Sequence, residues 1–165
     1  MSINGIHHTA ISTQDAERAL AFYRDLLGLK VVFDQSWPTG TPRADAITGL
    51  SGSAARQILL RCGNAYLELF EFAAPEARAG DPDRPVCDHG ITHVCFDVDD
   101  LDADYTRLRD AGVRFHCEPQ DLGEFGVRTT YGRDPDGNVV ELQELTLGYS
   151  SDDGKERRRV SVSAD

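Results

Sequence analysis

The sequence predicts an α+β protein made of two tandem β-α-β-β-β modules. Three observations carry this reading: an internal repeat, a change of apolar period inside each copy, and a proline- and charge-rich connector between the copies. The segment GIHHTAISTQDAERALAFYRDLLGLKV, from Gly5, aligns with GITHVCFDVDDLDADYTRLRDAGVRF, from Gly90. Gly5 falls on Gly90, Ile6 on Ile91, His8 on His93, Asp15 on Asp100 and Arg24-Asp25 on Arg109-Asp110; one residue then drops out, and Gly28 meets Gly112. Further on, Leu67-Glu68-Leu69 corresponds to Val140-Glu141-Leu142, with Glu71 over Glu144.

Each copy opens on a short alternating strand, with Ile6, His8 and Ala10 sharing one face in the first and Ile91, His93 and Cys95 in the second. A helix follows, in which Leu20, Tyr23 and Leu27, and then Leu101, Tyr105, Leu108 and Ala111, recur at helical spacing. Gly28 and Gly112 stand where a helix would end in a left-handed cap. Strand-like sequence completes each module, at 29–33, 55–61 and 65–72 in the first and at 113–116, 127–131 and 139–145 in the second. The predicted boundaries are 3–74 for the first module, 75–88 for the linker, 89–147 for the second module and 148–165 for a polar tail. Residues 36–53, rich in Pro, Gly, Thr and Ser, read as a long loop with a short helical piece.

The 165 residues carry a formal charge of −11. The last 18 hold four acids and four bases, so the preceding 147 bear the whole excess, 24 acids against 13 bases. An acidic body with no basic stripe excludes nucleic acid and anionic membrane surfaces as partners. The tail's Arg-Arg-Arg-Val-Ser is read as a solvated charge run. No run of 18 apolar residues occurs, and the start MSINGIHHTA lacks a signal pattern, so the expected location is cytoplasmic. Cys62, Cys87, Cys95 and Cys117 lie 25, 8 and 22 residues apart and form no CxxC pair. They are expected as free thiols, some of them buried.

His8 and His93 occupy the same position of both repeats, on the side predicted to be apolar-facing, which separates them from His7, His89 and His116. Glu68 shares a strand face with Tyr66, Phe70 and Phe72, and Glu141 shares one with Val139 and Gln143. A carboxylate on such a face is costly to bury unless paired or bound to a metal. Glu71 and Glu144 also match each other but lie on the opposite face, and are read as solvated. Two imidazoles and two carboxylates form a cage whose charge one divalent ion balances, and mixed nitrogen and oxygen ligands suit Ni, Co, Mn, Zn or Fe.

The motifs His8-Thr9-Ala10-Ile11, 21–28 (AFYRDLLG), Leu67-Glu68-Leu69, Gly90-Ile91-Thr92-His93 and Asp134-Pro135-Asp136-Gly137-Asn138 running into Glu141 resemble those of the vicinal oxygen chelate superfamily. That superfamily includes glyoxalase I, methylmalonyl-CoA epimerase and extradiol dioxygenases, together with fosfomycin-resistance and bleomycin-binding proteins. The resemblance spans residues 3–146 and implies curved mixed sheets forming a metal-centred cleft. It carries metal ligation onto His8, Glu68, His93 and Glu141. A His-Glu-His-Glu set resembles the isomerase branch, because the dioxygenases lack a ligand at the position of Glu68. The implied chemistry is an epimerase or glyoxalase-type lyase reaction, moving a proton next to a chelated carbonyl/hydroxyl pair through an enediolate. Glu141 is the first candidate for the proton carrier and Glu68 the second.

Arg43, Arg56, Arg128, Trp37, Tyr66 and Tyr131 are candidates for the substrate rim, with Phe125, between Gly123 and Gly126, as a closing element. The expected partner is a small oxygenated molecule. Two other readings stand beside the isomerase: an Fe(II) extradiol dioxygenase using His8, His93 and Glu141, and a metal-free binding or resistance protein. A homodimer is expected, with the modules pairing within one chain or between two.

Overall fold

Both repeats fold as their periodicity predicts, each as a helix against one face of a mixed sheet. The computed structural model describes residues 2–146, so the reading of the 148–165 tail lies outside the described residues. The chain divides into two units, one running to Arg84 and taking in Pro135–Gly137, the other comprising Pro85–Asp134 and the residues from Asn138 onward.

The first unit contains β1 (His8–Ser12), α1 (Ala16–Leu20), β2 (Lys30–Trp37), α2 (Pro42–Thr48), β3 (Ala54–Cys62) and β4 (Ala65–Ala74). Its sheet has the order β1-β4-β3-β2, with β1 parallel to β4 and the other pairs antiparallel. The second unit contains β5 (Val94–Asp97), α3 (Leu101–Asp110), β6 (Arg114–Phe115), β7 (Gln120–Leu122), β8 (Val127–Arg133) and β9 (Val139–Leu145). Here the order is β5-β9-β8-β6, with β7 also paired to β8 and β5 parallel to β9. Strand β7 carries no apolar alternation and is exposed along its length, so it leaves no mark in the sequence pattern. Strand β2 continues to Trp37, into the stretch expected as loop, and α2 supplies the short helical piece.

The two helices start and stop alike. Asp15 and Asp100 cap them, their side chains accepting from the Arg18 and Ala103 amides at 3.0 and 2.9 Å, each cap contributing about 1 kcal/mol. Behind each helix start, Glu71 and Glu144 accept from the amides of Ala16 and Leu101, both at 3.4 Å. These two glutamates are therefore not merely solvated: they hold the positive helix ends on the sheet. At the far ends Gly28 and Gly112 adopt φ of 78° and 93°, as expected for left-handed caps. Helix α1 widens into a π-helical turn over Ala21–Leu26, where the Leu27 amide reaches the Phe22 carbonyl at 2.9 Å. The widening lets adjacent Phe22 and Tyr23 both be buried and leaves Leu27 half-buried.

Between helix and sheet lie Leu20, Tyr23, Ile58, Leu60, Leu67 and Leu69 in the first unit, and Phe96, Leu101, Leu108, Val140 and Leu142 in the second. Fully burying each such aliphatic or aromatic side chain is worth roughly 1.5–3 kcal/mol. Alternation then turns Tyr66, Glu68 and Phe70, and on the other sheet Glu141 and Gln143, to the face away from the helix. The faces of His8 and His93 thus differ from the expected apolar one. Ile6 and Ile91 precede strands β1 and β5 and stand exposed, as does Ala111. Among the described residues no helix is long and apolar enough to cross a membrane.

Candidate functional site

In the first unit the parallel β1–β4 register sets His8 beside Tyr66 and Ala10 beside Glu68. His8 Nε2 lies 3.3 Å from Glu68 Oε2, and the glutamate side chain is only 9% exposed. Its other oxygen accepts from Gln57 Nε2 at 2.6 Å, and the Gln57 carbonyl accepts in turn from Gln35 Nε2 at 2.8 Å. That chain of donors orients the Gln57 amide so that its N–H faces the carboxylate. On the imidazole's far side, His8 Nδ1 meets His7 Nδ1 at 2.8 Å, and the His7 ring stacks on Tyr66 with centroids 4.8 Å apart.

The second unit repeats the arrangement with different neighbours. Cys95 and Tyr131 flank Glu141 in the ladder. His93 Nε2 lies 2.9 Å from Glu141 Oε2, and this glutamate side chain is 11% exposed. Thr129 Oγ1 is 2.6 Å from the other carboxylate oxygen and 3.0 Å from the Leu142 carbonyl. Thr92 Oγ1 sits 3.0 Å from His93 Nδ1, the place His7 takes beside His8. The Tyr131 ring packs on His93 at 4.9 Å. Burial, then the Glu141 carboxylate, push the Cys95 thiol up to about 12 and raise the Tyr131 phenol. Cys95 is exposed as a residue while its sulfur lies against Glu141, so it stays a thiol at neutral pH.

An imidazole lone pair and a carboxylate aimed at one another repel unless a proton or a metal ion lies between them. In each unit one imidazole nitrogen and one carboxylate oxygen face each other, and a further group meets the outer atom of both imidazole and carboxylate. Among the described residues no three His, Cys, Asp or Glu side chains gather into a group that could hold a metal.

The residues considered for a substrate rim separate into two kinds. Tyr66 and Tyr131 border the His-Glu pairs. Trp37 lies edge-on to Phe70 and Phe72 on the same face as Glu68 and donates to Ser53 Oγ at 3.1 Å. Arg56 and Arg128 lie on the helix side: Arg56 joins Asp34 to Glu17 of α1, and Arg128 joins Glu144 to Asp102 of α3. Those bridges hold both guanidinium groups, raising their pKa values and lowering those of Asp34 and Asp102. Arg43 is exposed on α2, and Phe125 is exposed in a single turn over Gly123–Phe125. Sequence reasoning did not single out Gln57, Thr129, His7 or Thr92. The match of His7 to Thr92 across the repeat was the available signal for the last two. All four cysteines are free, Cys62 half-buried and the others exposed.

The chain is 31% identical over 154 residues to 2-epi-5-epi-valiolone epimerase of Actinomyces, covering 87% of this chain and 80% of that protein. It is 30% identical over 148 residues to the ethylmalonyl-CoA/methylmalonyl-CoA epimerase of Cereibacter sphaeroides, covering 87% and 99%. Among solved structures, a glyoxalase family protein from Bacillus cereus superposes with a TM-score of 0.80 at 24% identity over 90% of this chain and 97% of the other, a likeness of fold. The model of the Glyoxalase/Bleomycin resistance protein/Dioxygenase superfamily matches residues 5–142. The chain belongs to that superfamily, and its fold is the vicinal oxygen chelate fold.

Proposed function

We propose that this protein is a divalent-metal-dependent isomerase of the epimerase type, acting on a small molecule with two adjacent oxygens. His8, Glu68, His93 and Glu141 are the ligands, each His-Glu half-site meeting its counterpart from the same chain or from a second copy in a homodimer. The observation that carries the reading is that in each unit one imidazole nitrogen faces one buried carboxylate, at 3.3 Å in the first and 2.9 Å in the second. Glu68 is paired in the same manner as Glu141, which favours four ligands over the dioxygenase's three. The epimerase names of two relatives support the same reaction class. When bound, the ion supplies the Lewis acidity that makes a C–H beside two chelating oxygens removable.

The neighbours of the two glutamates divide the labour. Gln57 offers Glu68 an N–H, which can only donate. Thr129 offers Glu141 a hydroxyl with a second acceptor, the Leu142 carbonyl, within reach. When Glu141 takes up a proton, Thr129 turns its hydrogen to Leu142 and accepts from the new carboxyl group. Thr129 can serve Glu141 before and after it takes up a proton, which makes Glu141 the first candidate for the proton carrier and Glu68 the second.

The test is metal content followed by solvent exchange. Chelator-stripped protein reloaded with Ni, Co, Mn or Zn is expected to hold about one ion per His-Glu-His-Glu set. It is expected to exchange the C–H of an α-hydroxyketone or a substituted malonyl thioester for deuterium in heavy water. Glu141→Gln should retain metal and lose exchange. Protein that takes up none of these ions, or that consumes oxygen with catechols, would overturn the proposal.

A further inference from the structure

Each of the two histidines proposed as ligands has a second ring nitrogen, and in both units a residue outside the ligand set meets it. His7 Nδ1 lies 2.8 Å from His8 Nδ1, and Thr92 Oγ1 lies 3.0 Å from His93 Nδ1. His7 and Thr92 occupy the same position of the internal repeat, one residue before the matched histidines. The residue types differ, yet the contact is the same. His7 precedes β1 and is exposed, so burial of its ring does not account for its placement. Two contacts with Tyr66 fix it instead. The His7 carbonyl accepts from the Tyr66 amide at 3.0 Å, and the two rings stack with their planes 21° apart. Thr92 is likewise exposed and stands ahead of β5.

What an imidazole and a hydroxyl share is that each can give or take a hydrogen bond. In a neutral imidazole one ring nitrogen carries the hydrogen and the other a lone pair. Without an ion, Nε2 of His8 and of His93 faces Glu68 and Glu141 at 3.3 and 2.9 Å, where a hydrogen on Nε2 satisfies the carboxylate. Nδ1 then holds the lone pair and needs a donor. When Nε2 instead gives its lone pair to an ion, the ring hydrogen sits on Nδ1, which then needs an acceptor. A lysine at position 7 or 92 could only donate, and an aliphatic residue could do neither. His7 serves both states by carrying its own hydrogen on Nδ1 in the first and on Nε2 in the second. Thr92 serves both by rotating its hydroxyl. Each ring keeps one hydrogen throughout, relocated by way of water, and no charge changes.

We infer that His7 and Thr92 are positioning residues for the metal ligands. They hold His8 and His93 through Nδ1 and meet that nitrogen as donor when the site is free and as acceptor when an ion is bound. The inference rests on the proposal that His8 and His93 bind a divalent ion, and it extends the site to two residues that act through those ligands.

The experiment uses zinc, competed against a chelator, and the full chain labelled with heavy nitrogen in its histidines, at about pH 8, above the ordinary histidine range. Zinc affinity should fall by about tenfold or more in His7→Phe, which keeps a ring for Tyr66 but has no ring nitrogen, and in Thr92→Val. His7→Thr, which installs the residue of the other repeat, and Thr92→Ser should stay within about threefold of wild type, since each keeps a group that both donates and accepts. Proton–nitrogen correlations across the rings should place hydrogen on His8 Nε2 and His7 Nδ1 before zinc, and on His8 Nδ1 and His7 Nε2 after it. A His7→Phe or Thr92→Val protein that binds zinc as the wild type does would overturn the inference and leave the metal-centred reading standing. So would a His7→Thr protein as weak as His7→Phe, which would mark the ring as structural. So too would a His8 hydrogen that stays on one nitrogen in both states. Wild-type protein that takes up no zinc would overturn the metal-centred reading, and this inference with it.

Discussion

Replacing Thr129 by valine removes one hydroxyl and keeps the β-branched shape that suits a strand. Thr129 Oγ1 has a single hydrogen and two acceptors, Glu141 Oε1 at 2.6 Å and the Leu142 carbonyl at 3.0 Å. The carboxylate is the one that suffers, because the Glu141 side chain is 11% exposed and water replaces the lost donor poorly. A hydrogen bond to a charged group contributes about 1.5–3 kcal/mol, so metal-free Thr129→Val should lose about 2 kcal/mol. With a urea slope of about 2 kcal/mol per molar, the unfolding midpoint should fall by about 1 M. Equilibrium urea unfolding followed by circular dichroism reads this directly. Thr129→Ser retains the donor and should recover most of the loss. A valine variant within about 0.5 kcal/mol of wild type, below the range for a charged hydrogen bond, would refute the account of how Glu141 is held. So would a serine variant as unstable as valine.

Other consequences follow from the same geometry. Gly137 has φ of 89°, and a Cβ there would collide with the Pro82 backbone, whereas at Gly63, φ 54°, it would meet open space. Gly137→Ala should therefore cost clearly more than Gly63→Ala, about 3 against about 1 kcal/mol, by thermal or urea unfolding; equal costs would contradict the close approach. The raised pKa of Cys95 makes its thiolate scarce at pH 8, so iodoacetamide should label Cys87 and Cys117 well before Cys95 in metal-free protein, read by peptide mass mapping. Asp34 and Asp102 have folded pKa values lowered by Arg56 and Arg128. Their contribution is present above the unfolded value of about 4 and is lost as pH falls through the lower folded value. Stability measured from pH 5 to pH 3 should fall less steeply in Arg128→Leu; solvent exposure of Asp102 keeps the effect small.

What the sequence determined by itself was most of what repeats, although it read the paired Glu71 and Glu144 as solvated where they accept from the helix-start amides. The doubled His8/His93 and Glu68/Glu141 positions, the helices ending at Gly28 and Gly112, and the α+β order of elements follow from local periodicity and from self-comparison. They are legible because burial of one face imposes a fixed period on each segment. Strand β7 escaped, since an exposed polar strand pairing along one edge has no such period. So did the opposite fates of the arginines. Arg56 and Arg128 read as rim residues, yet strand alternation carries them to the helix side, where Glu17 and Asp102 of the first helical turns await them. Only tertiary structure decided which partners complete each half-site. Gln57 and Thr129 lie on strands β3 and β8, 11 residues before Glu68 and 12 before Glu141, and reach them across the ladder. Hydrogen bonds across a ladder depend on register, and register is set by turns, bulges and the packing of the whole sheet rather than by the residues that make the bond.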